Sequence, residues 1–247
     1  MQVKLISITK PEFKLDSDGK IQDSAQSELT PEQLIVFTAR VSNPGNQYNH
    51  GTADKLIAYL VRNKHWSPFE MVDMTVEIKT SRAIAQQILR HRSFSFQEFS
   101  QRYAEVADME PVQIRKQADS NRQSSTESID PTILGDIIDS NGNYYPGGQL
   151  STLVEQHLSY CQALYASMLR AGVAKECARM VLPLTTQTTI YMKGSVRSWI
   201  HYLQQRLDPH TQLEHRQVAN QILSIFEVQF PNIAMAIVSN THSNNVT

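Results

Sequence analysis

Arginine, histidine, serine, glutamine and glutamate crowd into LRHRSFSFQEFSQRY, Leu89 to Tyr103. Arg90, His91, Arg92 and Arg102 stand there in a 247-residue chain whose net charge is only −1. A guanidinium presents a planar fork of donors that matches phosphate and carboxylate, and it stays charged when half-buried. Ser93, Ser95, Gln97, Glu98 and Ser100 put hydrogen-bonding groups between the cations. Such a set suits a discrete anionic ligand. The ordinary reading is a solvated basic face paired with Glu98, Glu105 and Asp108, in which each exposed pair contributes little. Three further places bear on the choice. HWSPFE, His65 to Glu70, sets polar groups around Pro68; Arg179 sits inside the apolar ARMVLP; Arg206 closes a helix before Asp208. Separately, His65 reads as a helix cap, Arg179 as a core-edge ion pair and Arg206 as a dipole partner. One site that gathers arginines accounts for all of them together.

The elements that must position these residues follow from periodicity and punctuation. Val3 to Thr9 reads as a strand, followed by a polar hairpin or loop around Asp16 to Gly19. TPEQLIVFTARVS opens a helix with Thr30 as N-cap, Pro31 at the first position and Glu32 in the first turn. TADKLIAYLVRN repeats Leu56, Ile57, Leu60 and Val61 at helical spacing. MVDMTVEIK alternates, with Val72, Met74, Val76 and Ile78 on one face of a half-buried, antiparallel-type strand. Residues 81–92 read as one helix, with Ile84, Ile88 and His91 on one stripe and Gln87 and Arg90 sharing a face. Arg90 and Arg92 stand about 200° apart if that helix continues. Either it ends near His91, or the two arginines face different ligands.

Residues 104–148 are rich in Ser, Asn, Asp and Gln and read as a long excursion with little regular structure. A long amphipathic helix is predicted from Gln149 to Ala171. KECARMVL forms a short helix that stops before Pro183, and LTTQTTIYM is strand-like. SVRSWIHYLQQRL and PHTQLEHRQVANQILSIFEVQF are helices joined at Asp208 and Pro209, an N-cap and first-position pair. The predicted class is α+β: a single domain over 1–247, with a small antiparallel sheet packed with several helices.

Composition removes other classes. A pI near 6.7 argues against a generic nucleic-acid binder. Two cysteines, Cys161 and Cys177, without CxxC spacing argue against a disulfide framework or a zinc cluster and fit a reducing, cytoplasmic setting. The N-terminus MQVKLISITKPEF is too broken by charge and proline for a signal peptide. No apolar run reaches membrane length. The eight histidines are scattered and no HExxH is present, so no metal is expected.

Arg90-His91-Arg92, then seven residues, Ser100, one more, and Arg102 resembles the signature of flavin-dependent thymidylate synthases. ARVSNP resembles that family's early motif, HWSPFE its H-x-[ST]-P-F-E, and AGVAKECARMVLP its G-[VIL]-x-x-E-x-A-R-x-x-L-P. GSVRSWIHYLQQRLDPHTQLEHR resembles the segment that closes its flavin and nucleotide sites. The resemblance spans most of the chain outside 104–148. It implies an α+β fold, a homotetramer with shared sites, and methylation of dUMP at C5. Methylenetetrahydrofolate is then the carbon donor and FADH2, regenerated by NADPH, the hydride donor.

Carried over by residue, it assigns Gln87, Arg90, Glu98, Ser100, Gln101, Arg102, Arg179 and Arg206 to the nucleotide. Arg206 is the catalytic contact to the pyrimidine. His65, Ser67, Arg90, His91, Arg92, Glu98, Ser195, Arg197 and His201 fall to the flavin, with Ser42 a looser match. Met71 stands where many relatives carry a second histidine, and Ser195 and His201 where some carry asparagine. Cys161 is expected in a helix core, and Cys177 in a core or helix packing. Neither reads as an activated nucleophile. No Gly-rich dinucleotide fingerprint occurs, so phosphates are expected on arginines and helix termini. The alternative is a nucleotide- or RNA-binding module without redox chemistry. The charge balance and the lack of an RNA-binding aromatic motif weigh against it.

Overall fold

Val72, Met74, Val76 and Ile78 are fully buried, as strict alternation dictates, while the residues between them are half-buried. They lie on and beside an inner strand of the main sheet. In the computed structural model, which describes residues 1–15, 21–23, 29–106 and 108–243, that sheet has strand order β1-β4-β12-β5. Its strands are β1 (Gln2–Ile8), β4 (Asp73–Ser81), β5 (Ser95–Glu98) and β12 (Gln187–Ser195). Between β1 and β4 come the paired β2 (Phe13–Leu15) and β3 (Ile21–Asp23), then α1 (Pro31–Ala39) and α2 (Ala53–Arg62). Of the loop expected at Asp16 to Gly19, all residues lie outside those described. The mixed class of helix and sheet is as predicted.

By internal contacts the chain divides into two compact units, each built from three separate segments: Met1, Lys79–Ile88 and Glu98–Thr189 in the first; Gln2–Ile78, Leu89–Gln97 and Ile190–Thr247 in the second.

The second unit holds the larger core. Trp199, Tyr202, Phe69, Phe226 and Phe230 are its largest fully buried side chains. The indole of Trp199 donates to the carbonyl of Met74 at 3.1 Å, and Val196 N donates to Val72 O at 2.8 Å, so α6 (Val196–Arg206) is stitched to β4 from its first turn. α1 begins with the predicted Thr30 N-cap, which here forms a capping box: Thr30 and Gln33 satisfy each other's backbone donors. Glu32 is buried and faces α8 (Pro231–Ser243), accepting from Ile233 N at 3.0 Å and from the Asn232 amide at 2.8 Å. Burial pushes its carboxyl above the usual range, against those hydrogen bonds. α2 ends through Lys64 at φ 58°, with His65 N donating to Leu60 O; the backbone of His65 makes the cap, not its ring.

The first unit contains α3 (Arg82–Ile88), α4 (Leu150–Arg170) and α5 (Lys175–Ala178), which runs on into a 3₁₀ turn at Arg179–Val181. Residues 104–148 have more order than their composition suggests. β6 (Arg115–Gln117) pairs with β7 (Ser125–Ser128), β8 (Thr132–Ile133) with β11 (Gly148–Gln149), and β9 (Ile137–Ile138) with β10 (Tyr144–Tyr145) nested inside. The carboxylate of Asp139 holds the nested turn by accepting from Asn141 N and Asn143 N.

Three expectations are corrected. The helix read over 81–92 stops at Ile88, because Arg90, His91, Arg92 and Ser93 offer no apolar stripe and the chain turns through Phe94 N to His91 O. Arg90 and Arg92 therefore do not stand on one helix. α7 (Leu213–Gln229) starts at Leu213 and not at Pro209. Asp208 caps a turn, accepting from His210 N at 2.8 Å and pairing with the His210 ring, while Thr211 N closes back on Asp208 O. Cys161 is buried as expected, 3.6 Å from His157, but Cys177 is exposed and packs in no core.

Candidate active site

In the second unit, α6 carries three of the predicted residues on one rigid rod. Ser195 is its N-cap, accepting from Ser198 N at 3.4 Å. Its hydroxyl is thus engaged in helix capping. Ser198 Oγ donates to Ser93 O at 3.2 Å and ties the loop after α3 to this helix. Arg197 pairs with Glu70, and His201 stands edge-on to Trp66 with ring centres 4.7 Å apart. The HWSPFE motif and α6 are therefore neighbours. Ser67 is exposed where the 3₁₀ turn Ser67–Glu70 begins, and His65 is exposed with its ring edge-on to Tyr59. Arg90 and Arg92 are exposed and have no hydrogen-bond or ion-pair partner among the described residues. Ser42 is exposed as well; the buried member of its motif is Arg40, which donates to Asn46 O, Asn49 O and Thr52 and so folds the loop that follows.

His91 turns inward. Its ring meets Tyr202 at 4.9 Å, His215 at 6.2 Å and Phe94 at 6.4 Å, all edge-on. Arg206 Nε donates to His91 Nε2 at 2.9 Å. That nitrogen must be bare to accept, and burial, then the charge of Arg206, holds the imidazole pKa down at about 4. His215 is fully buried with Nε2 3.0 Å from the Tyr202 hydroxyl. Burial, then Arg206 and His91, hold its pKa at about 3, while burial raises that of Tyr202. Gly194 lets the Phe94 ring lie against β12, where a Cβ would come within 2.5 Å of it. The pairing of Arg206 with Asp208 is not made: Asp208 is engaged with His210.

In the first unit, Glu98 accepts from Thr188 Oγ1 at 3.0 Å and pairs with Arg82 at 3.3 Å. Gln101 is buried and its amide nitrogen has no partner among the described residues, a donor to which a ligand acceptor is the natural complement. Ser100 accepts weakly from Arg102 N. Arg102 pairs with Glu176 at 3.6 Å, and Arg179 donates at 3.4 Å to the Glu176 carbonyl, so α5 gathers both arginines. Gln87 sits half-buried on α3. A cavity of about 210 Å³ opens beside Phe99 and Thr188, also lined by Lys79 and Asp108.

The predicted residues thus form two groups. His65, Ser67, Arg90, His91, Arg92, Ser195, Arg197, His201 and Arg206 lie in the second unit; Gln87, Glu98, Ser100, Gln101, Arg102 and Arg179 lie in the first. The second group includes the guanidiniums of Arg90 and Arg92, without a partner among the described residues, a donor set of the kind that suits the pyrophosphate of a flavin dinucleotide. Several partners were missed from sequence. Glu70 and Glu176 lie inside the quoted motifs, and Tyr202 precedes Arg206 by one helical turn, so those signals were present. His215, Arg82 and Thr188 reach their partners only through the fold.

The family model described as "Thymidylate synthase complementing protein" matches residues 25–232. The flavin-dependent thymidylate synthase of Synechocystis sp. is 46% identical over 237 residues, covering 96% of this chain and 99% of its own. The probable flavin-dependent thymidylate synthase of Paramecium bursaria Chlorella virus 1 is 46% identical over 240 residues, with the same coverage. Among solved structures, the UMP/dUMP methylase PolB from Streptomyces cacaoi, bound with 5-Br dUMP, superimposes with a TM-score of 0.69 at 24% identity, over 96% of this chain and 94% of that one; the likeness speaks to the fold. By sequence over nearly its whole length, the chain belongs to the flavin-dependent thymidylate synthase family.

Proposed function

We propose that the chain methylates dUMP at C5 to give dTMP, taking the carbon from methylenetetrahydrofolate and working as one catalytic domain in a cytoplasmic homotetramer. FAD, reduced by NADPH, supplies the hydride when bound. The observation that carries this reading is Arg206. Its guanidinium is fixed by Nε to His91, and its terminal nitrogens have no partner among the described residues.

Methyl transfer requires C5 of the pyrimidine to become nucleophilic. Without a thiol adding to C6, the electron density must come from the ring, as on loss of the N3 proton. A fixed guanidinium beside the ring carbonyls stabilises that negative charge and cannot itself take up the proton. Cys161 is buried on α4 and Cys177 is exposed on α5. The orphan amide of Gln101 and the arginines held by α5 supply donors for the nucleotide. Arg90 and Arg92 supply charge for phosphate, and Arg197 and His201 line the flavin side.

Arg206→Ala tests the reading. It is expected to keep FAD and its reduction by NADPH, yet lose dTMP formation by about a hundredfold or more, since such preorganised donors lower barriers by roughly 2.7–4 kcal/mol. Anaerobic single-turnover dTMP production from pre-reduced enzyme measures it; near-normal product at saturating dUMP overturns the assignment. A purified chain that shows no flavin absorbance, even with added FAD, would favour the redox-free binding module.

A further inference from the structure

Arginine side chains are flexible, and one at a helix end is ordinarily free to swing. Arg206 is not. Its Nε is spent on His91 Nε2 at 2.9 Å, and its obvious acidic neighbour, Asp208, is occupied by His210. The imidazole is itself walled in: Tyr202 and Phe94 stand edge-on to it, His215 closes a third side, and Ser198 Oγ holds the loop through Ser93 O. We propose that His91 is a positioning residue for Arg206, its bare Nε2 holding the guanidinium by Nε so that both terminal Nη groups face the substrate as a fixed fork.

The resemblance assigns His91 to the flavin. A ring whose acceptor nitrogen is occupied has only Nδ1 left for that purpose, so the imidazole serves the reaction first through the arginine. The role rests on the assignment of Arg206 above. It requires a neutral ring, because an imidazolium would turn an N–H toward the guanidinium's own N–H. The charged and titratable groups facing His91 are Arg206 and Tyr202 from α6 and His215 from α7. Phe94, on its own loop, brings no charge. Burial and Arg206 both favour the neutral form.

Two variants separate positioning from flavin contact. His91→Phe keeps a flat ring but removes the acceptor; His91→Gln restores an acceptor oxygen without an imidazole. The expected result is that His91→Phe retains flavin absorbance and reduction by NADPH while single-turnover dTMP formation falls by roughly 10- to 100-fold, the scale of a small misplacement of a reacting group. His91→Gln recovers most of that loss. A readout independent of turnover is the ¹⁵N-edited signal of the Arg206 Nε–H, identified by its absence in Arg206→Ala: protected from solvent exchange in the parent and in His91→Gln, exposed in His91→Phe. Loss of flavin in both variants with a normal rate per bound flavin overturns the proposal, as does an unaltered Nε–H signal in His91→Phe. If Arg206→Ala itself turns over normally, the catalytic reading of Arg206 fails instead, and the exchange measurement shows which of the two has failed.

Discussion

Adding one methyl group at Gly194 should disturb the second unit more than its size suggests. A Cβ there would stand 2.5 Å from Phe94 Cδ1 and 2.7 Å from Cε1. Carbon atoms in good contact sit roughly 3.5–4.0 Å apart, so the ring must retreat by roughly 1 Å. It has little room to do so. Phe94 is 9% exposed, its ring centre lies 4.6 Å from that of Trp199 and 6.0 Å from that of Tyr202, and both of those are fully packed. Overfilling such a core typically costs about 1–3 kcal/mol. For a chain of this length each kcal/mol lowers Tm by roughly 2–4 °C, so Gly194→Ala should melt roughly 2–12 °C below the parent. Phe94 also neighbours His91, so the shift should reach the Arg206 anchor and lower dTMP formation in the folded fraction. The double variant Gly194→Ala, Phe94→Leu, with a smaller side chain facing the new methyl, should regain part of the loss. The assay is thermal unfolding of the flavin-loaded protein with turnover measured well below Tm. A Gly194→Ala protein that melts with the parent refutes the packing argument.

Two other outcomes follow from buried polar groups. Glu32→Ala should cost about 1–3 kcal/mol, because the Ile233 N–H and the Asn232 amide lose their acceptor inside the second unit; Glu32→Gln, which can still accept, should cost clearly less, and equal denaturant midpoints for the two variants would exclude the capping role. His91 and His215 fold with pKa values of about 4 and about 3, below the ordinary 6.5. The unfolded chain therefore binds their protons first on acidification. Their contribution is fully present above about pH 6.5 and is lost as pH falls through that window toward 4 and 3. Denaturant midpoints across this range should decline less steeply in His215→Gln than in the parent, and parallel slopes would exclude His215 as a source of acid sensitivity.

Local patterns were readable where one face or one cap decides the outcome. The alternation from Val72 to Ile78, the Thr30 N-cap with Pro31 behind it and the amphipathic α4 needed no partner to declare them. The motif residues were also readable, since their spacing survives in the linear chain. What escaped is tertiary. The bond from Arg206 to His91 joins residues 115 apart, and no periodicity announces it. Asp208 followed by Pro209 looks like a helix start, yet the His210 side chain and backbone capture the aspartate and delay α7 to Leu213. Arg90 to Arg92 continued a helix on paper because Arg and His tolerate one; in the fold, the pull of His91 into an aromatic pocket ends it. Cys177, expected in a core or in helix packing, is exposed because α5 is too short to bury more than Ala178.

The nested pairing between Thr132 and Gln149 has a consequence for how this chain can change length. β8 and β11 bring the segment's departure and return side by side, and Asp130 fastens the clasp by accepting from Gln149 and Ser151. Whatever grows or shrinks inside it leaves the exit and entry points where they are. Doubling such a loop costs only about 0.6 kcal/mol of closure entropy, so insertions here need no rethreading of the helix that follows. One corner resists: a side chain at Gly147 would run into the Gly135 carbonyl at 2.1 Å. The molecule carries a socket for new surface, with Gly147 guarding its rim.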